Sequence, residues 1–180
     1  MEDIEIVAPL FDAYLQFYKL PSNEEAARRY LHARLLKSEA VIFLAIDSGA
    51  AAGEAGGTAV NKSHEVTKGR EKEPAGWFGF APRRRRHYAG RGLGFTLLYP
   101  AWSSLSMRPW WILNDLYVAP EARKRGVAKA LMECAQRLAE ETSASGLGLE
   151  TAKDNFAAQK LYEQLGWKRE EQFYRYELQV

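Results

Sequence analysis

Apolar residues at Val7, Leu10, Phe11, Tyr14, Leu15 and Tyr18 recur at helical spacing, and Pro21 ends that pattern, which predicts a first helix. Ser22-Asn23-Glu24-Glu25 reads as a capping box opening a second helix, carried by Ala26, Ala27, Tyr30, Leu31 and Leu35 to about Lys37. The period then changes. Ala40 to Ile46 is a short apolar run rich in β-formers, ended by Asp47-Ser48-Gly49, and Gly94–Pro100 and Trp110–Val118 read as further strands. The last of these is apolar on both faces, as a central strand is. From Val127, the residues Leu131, Cys134 and Leu138 form one stripe of an amphipathic helix to about Glu141. Gly146–Thr151 predicts another strand, Asn155–Leu165 a helix closed by Gly166, and Tyr174, Tyr176, Leu178 and Val180 alternate with polar residues as in a final strand. Helices and strands interleave in an α/β order.

One stretch breaks the pattern. Residues 54–93 are rich in Gly, Lys, Glu and Arg, with Trp77, Phe78 and Phe80 as the main apolar anchors, and a structureless loop of that length is unusual in a compact domain. Removing it joins Ile42–Gly53 to Phe95–Tyr99 as an ordinary hairpin. It is therefore read as a flexible insertion in a single domain spanning residues 1–180. It carries nine Lys/Arg against four Glu, more than the whole chain's net +2, and includes Arg83-Arg84-Arg85-Arg86.

Composition adds bounds. With 180 residues, 47% of them hydrophobic, the chain is long and apolar enough for a packed core. The lone Cys134 excludes an internal disulfide and lies on a helix's apolar stripe, as a core thiol does. His32, His64 and His87 lack metal-ligand spacing. No apolar stretch approaches the roughly 20 residues that span a bilayer, and the start Met1-Glu2-Asp3-Ile4 lacks a secretory pattern, so a cytoplasmic location without membrane contact is expected.

The chemistry concentrates after the central strand. Val118-x-Pro120 leads into Arg123-Lys124-Arg125-Gly126-Val127-Ala128-Lys129 and then a helix. A Gly, a small residue and basic side chains at a helix start present unpaired N–H groups to an oxyanion, a fit for a diphosphate. An ordinary charged loop has the same composition. Together with Asn155 and Tyr162 on the later helix, this order resembles the GNAT (GCN5-related N-acetyltransferase) family, its Hpa2-like and diamine-acetyltransferase-like members above all. The resemblance implies a mixed, mostly antiparallel sheet flanked by helices. The family's first strand is missing here, and residues 54–93 are inserted between its second and third strands.

It also implies acetyl-coenzyme A as cosubstrate. Arg123, Lys124, Arg125, Gly126, Val127, Ala128 and Lys129 would hold its diphosphate, and the backbone of Leu116, Tyr117 and Val118 its pantetheine arm, along with Asn155. The hydroxyl of Tyr162 would face the sulfur as general acid. Against these stand structural readings, with Asn155 as a helix cap and Tyr162 as part of a buried stripe. The base is open. The position that bears a Glu in diamine acetyltransferases is Asn114 here, so either the neighbouring Asp115 takes the proton, directly or through water, or the amine arrives neutral, or Glu150 assists. The implied activity is direct acetyl transfer to a primary amine of a small molecule or peptide lysine, in a ternary complex. Asp12, Asp115 and Glu150 point to a cationic acceptor, and Trp102, Trp110, Trp111, Phe17 and Tyr18 either wall its pocket or pack the core. A homodimer is compatible with the resemblance. The competing reading is a non-catalytic or degenerate fold that binds a partner, nucleic acid included, through the Arg-rich insertion.

Overall fold

In the computed structural model of the chain, the described residues are 2–47, 61–65 and 90–180, the middle segment by its backbone alone. They open on helix α1 (Glu2–Phe17), with no strand ahead of it, followed by α2 (Glu24–Leu36). Asn23, not Ser22, caps α2: its side chain accepts from the Ala26 N–H at 3.0 Å. Ser22 instead donates to Asp12 Oδ2 at 2.7 Å, and Asp12 also accepts from the Asn23 N–H and Gln16 Nε2. That buried carboxylate fixes the corner between the two helices, so it is spent on the fold rather than on a ligand.

Strands β1 (Val41–Asp47), β2 (Asn61–Glu65), β3 (Arg91–Ser103), β4 (Arg108–Val118) and β5 (Leu147–Gly148) form one sheet in the order β2-β1-β3-β4-β5. All neighbours are antiparallel except β4 and β5. Within residues 54–93, residues 61–65 thus form the edge strand β2 and residues 91–93 open β3, while the remainder of that stretch lies outside the described residues.

The two helical layers take opposite faces. Phe11 and Tyr14 of α1 meet Phe95, and Tyr14 meets Tyr117, at ring separations of 5.8 to 6.2 Å. On the other face lies α3 (Val127–Glu141), where Trp111 Nε1 donates to Thr142 Oγ1 at 2.9 Å. Val127, Leu131, Cys134 and Leu138 are buried along the predicted stripe. Each Leu contributes on the order of 1.5–3 kcal/mol by leaving water. At Gly92 an added Cβ would stand 2.8 Å from Leu10, so the small residue lets α1 approach β3.

The chain divides into two compact units, residues 1–149 and 150–180. Within the second, α4 (Phe156–Gln164) matches the expected helix, and Gly166 follows it with φ +85°. Two expected strands differ. The one predicted at Gly146–Thr151 shrinks to Leu147–Gly148, and the alternating residues Tyr174–Val180 are exposed and form no strand. Alternation becomes a strand only beside a neighbour that accepts its hydrogen bonds, and the second unit contains no other strand.

Candidate active site

The segment that joins β4 to α3 is built around an unusual helix start. After β4 the chain makes a single 3-10 turn at Pro120–Ala122, and Arg123 Nε returns to donate to the Val118 carbonyl at 3.2 Å. Lys124 (φ 58°) and Gly126 (φ 78°) are both left-handed. Gly126 is the N-cap of α3, and the first helical hydrogen bond runs from the Ala130 N–H to its carbonyl at 3.0 Å. The N–H groups of Val127, Ala128 and Lys129 precede that bond and have no helical acceptor. Among the described residues no side chain caps them, and the first turn holds no acidic residue. Helix α2 shows the usual alternative, with Asn23 as cap and Glu24 and Glu25 in its first turn.

Space and charge agree with that arrangement. An added Cβ on Gly126 would meet nothing within 4 Å, so the glycine answers to its φ and leaves open room beside the helix N-terminus. Arg123, Lys124, Arg125 and Lys129 are exposed around it, Arg125 lying 3.9 Å from Asp47 and Lys129 3.9 Å from Glu133. A diphosphate fits this donor set: aligned N–H groups, a positive helix end and exposed cations. By contrast, a hollow of about 420 Å³ lined by Gln136, Ala139, Glu140, Ser143, Ala144 and Leu147 lies toward the other end of α3.

Strand β4 supplies the second part. Its pairing with β5 covers Trp111 and Ile112 and stops there, so among the described residues Leu116, Tyr117 and Val118 are laddered to β3 alone. Their other edge offers backbone groups to an extended ligand. Between Leu113 and Asp115 the register slips: Leu98 pairs with Leu113 and Leu97 with Asp115, leaving Asn114 as the extra residue of a β-bulge. Simple alternation would put Asp115 on the α3 face with Trp111 and Leu113. The bulge turns it to the α1 face.

There Asp115 is 6% exposed. Burial pushes its carboxyl above the usual carboxylate range, and hydrogen bonds from the Tyr14 hydroxyl and from Asn114 Nδ2, the latter at 3.1 Å, offset only part of that. Burial, then the hydrogen bond to Asp115 and its charge, push the Tyr14 phenol upward as well. Tyr18, half-exposed, lies beside Tyr14 with ring centres 5.1 Å apart. Thr96 Oγ1 donates to the Asp115 carbonyl at 2.9 Å and pins the bulge.

The remaining expected residues divide as follows. Asn155 and Tyr162 belong to the second unit. There Asn155 is the N-cap of α4, accepting from Ala158 N–H at 3.3 Å, and its Nδ2 donates to Thr151 Oγ1. Tyr162 is half-buried, 6.3 Å from the Trp167 ring, and no residue of α4 is fully buried, so the buried-stripe reading of that tyrosine is not met. Glu150, also in the second unit, is ion-paired with Arg175. The tryptophans do not gather with Phe17 and Tyr18: Trp111 is core on the α3 face, Trp110 packs over Gly146 and Gly148, and Trp102 is exposed. Cys134 is buried and accepts from Arg137 Nη2 at 2.8 Å. Among the described residues, no three His, Cys, Asp or Glu side chains form a metal-binding group, and no helix is long and apolar enough to cross a membrane. The run Arg83–Arg86 lies outside the described residues. Tyr14 enters the sequence reading only as one of the periodic positions of the first helix; its place beside Asp115 follows from the bulge, which periodicity does not show.

Comparison with known proteins is decisive for the family. The sequence model described as "Acetyltransferase (GNAT) family" matches residues 7–167. The chain belongs to this family. It is an acetyltransferase, 32% identical over 178 residues to an uncharacterized N-acetyltransferase, YhfO, of Bacillus subtilis, which covers 99% of this chain and 92% of the relative. A crystal structure of a probable acetyltransferase is 35% identical, covers 100% of this chain and 93% of its own, and superposes with a TM-score of 0.73. A ribosomal-protein-alanine N-acetyltransferase from Brucella melitensis biovar Abortus shares the fold, with a TM-score of 0.62 at 20% identity over 99% of this chain and 94% of its own. Members of this family generally use acetyl-coenzyme A as cosubstrate.

Proposed function

We propose that this acetyltransferase moves an acetyl group from acetyl-coenzyme A directly to a primary amine of a small molecule or peptide, both substrates being held at once. The observation that carries the reading is the uncapped N-terminus of α3 behind Gly126, with open space beside it and four basic side chains around it. Val127, Ala128 and Lys129 would hold the diphosphate by their N–H groups, with Arg123, Lys124 and Arg125 adding charge. The edge of Leu116, Tyr117 and Val118 that no described strand pairs would align the pantetheine arm, to which Asn155 is assigned from the family's motif. Once bound, acetyl-coenzyme A supplies an acyl group already activated as a thioester.

The protein's own groups handle the protons. An alkylamine is mostly protonated at neutral pH, so a base must free its lone pair before a C–N bond forms. Asp115 is assigned that role, its burial bringing it nearer to neutrality than a surface carboxylate. Tyr14, beside the half-exposed Tyr18, would give the accepted proton a route to solvent. Tyr162 is assigned as general acid, donating its phenolic proton to the thiolate as the C–S bond breaks.

The test joins calorimetry with acetyl-coenzyme A to a thiol-release assay over a panel of amines. Binding tighter than about 1 mM and amine-dependent release are expected, with Tyr162→Phe losing about 10²-fold in kcat while keeping cofactor affinity. No binding, or a Tyr162→Phe rate equal to that of the parent, would remove this assignment.

A further inference from the structure

The Asp115 carboxyl is buried, and its polar neighbours are both uncharged, the Tyr14 hydroxyl and the Asn114 amide. Buried charges are ordinarily paired with an opposite charge, and a carboxylate has about four acceptor positions, of which two are used here. What surrounds it on the α1 face is aromatic. Tyr14 lies 5.1 Å from the Tyr18 ring, 6.2 Å from Tyr117 and 6.0 Å from Phe95, ring centre to ring centre. Tyr99 feels the Asp115 charge and is hydrogen-bonded to Tyr30 through its hydroxyl. At the outer end, Phe17 and Tyr18 stack edge to face at 5.4 Å and are 58% and 54% exposed, beside the exposed Leu20.

The other acids near this helical layer are engaged or distant. Asp12 is taken by Ser22, Asn23 and Gln16. Glu5, Glu24 and Glu25 pair with Arg28, and Glu39 with Arg34. Asp3 is eleven residues before Tyr14 on α1, roughly 16 Å along the axis. Among the described residues of the first unit, this face therefore offers one unengaged carboxyl set among rings. A polycation needs several separated carboxylates, whereas a single ammonium on an apolar arm is matched by one carboxylate and aromatic faces.

We infer that the acceptor is a primary monoamine with an aromatic or bulky apolar arm, its ammonium drawn to Asp115 and its arm lying against Tyr14, Tyr18 and Phe17. This rests on the acetyl-transfer reading and on Asp115 as the acceptor-side carboxylate, and it specifies the acceptor's chemistry.

Binding separates it from turnover. Calorimetry of the full chain with 2-phenylethylamine, n-butylamine and spermidine is run beside the acetyl-coenzyme A titration, and relative kcat/KM is then read from thiol release. 2-Phenylethylamine is expected to bind and to turn over at least about tenfold better than spermidine. Tyr18→Ala should weaken 2-phenylethylamine by about 3- to 30-fold and n-butylamine less, with acetyl-coenzyme A affinity unchanged. Tyr18→Phe, which keeps the ring, should retain the arylamine preference. Spermidine bound or used as well as 2-phenylethylamine, or a Tyr18→Ala preference equal to the parent's, overturns the inference even where acetyl-coenzyme A binds. Loss of acetyl-coenzyme A binding in the parent protein would instead strike the acetyl-transfer reading, while amine binding still decides this one.

Discussion

Gly126→Ala separates a ligand cradle from an ordinary helix cap. The residue holds φ at +78°, where a side chain costs about 1–2 kcal/mol in backbone strain, partly offset by the reduced freedom of the unfolded chain. No atom lies within 4 Å of the added Cβ, so no clash adds to that cost. A net loss near 1 kcal/mol lowers Tm by about 2–4 °C in a chain of this size. The effect on acetyl-coenzyme A should be larger, because the methyl group would fill the space that the diphosphate needs beside the N–H groups of Val127 to Lys129. Loss of one charge-assisted hydrogen bond is worth about 1.5–3 kcal/mol, which is about 10- to 150-fold in Kd. Gly126→Asn is the control: asparagine visits the left-handed region more readily, so it should restore part of the stability yet still crowd the ligand. Calorimetric Kd and thermal scans on both variants provide the two readings. If Tm falls while Kd stays within about threefold of the parent in both, the anion site lies elsewhere and the α3 N-terminus is merely a turn.

Asp115 should make stability depend on pH in a defined direction. Its folded carboxyl titrates above the unfolded one because burial disfavours the charge, so its favourable contribution is complete below the ordinary carboxylate range and is lost as pH rises through the raised folded value. Asp115→Asn should therefore flatten the decline of Tm with rising pH and lower kcat/KM for amines; an unchanged Tm profile would contradict the assignment. Asp12 has the opposite sign, since burial is outweighed by the donors Ser22, Asn23 N–H and Gln16 and its carboxyl titrates below the usual range. Asp12→Ala should cost about 1–3 kcal/mol at neutral pH, or roughly 3–10 °C in Tm, with the gap to the parent narrowing in acid; a gap independent of pH would refute the linkage.

Where one periodicity runs unbroken, the sequence was readable. The stripe Val127, Leu131, Cys134 and Leu138 defines α3, and the basic turn before it is where the uncapped helix end is found. Tertiary partners decided the rest. Tyr174–Val180 alternates as a strand would, yet alternation carries no information about who accepts the hydrogen bonds. Likewise β2 comes from a polar stretch, Asn61–Glu65, with no apolar face to announce it. Its place at the edge of the sheet is set by its pairing to β1.

The bulge at Asn114 ties fold to chemistry most closely, and sequence periodicity could not locate it. Trp111, Leu113 and Asp115 alternate as one face of a strand, which would bury the carboxylate against α3 among Leu131 and Leu138. One extra residue reverses the parity after Leu113, so Asp115 emerges on the α1 face opposite Leu97 and meets Tyr14. The same slip leaves Tyr117 paired with Phe95 and facing the α1 rings. A single backbone irregularity thus delivers a carboxylate to an aromatic surface, a few residues before the strand runs into the turn around Gly126. An acceptor on that face and a cosubstrate along the free edge of β4 would share one strand. Shifting the register there by one residue would move Asp115 away from Tyr14 without disturbing the turn around Gly126.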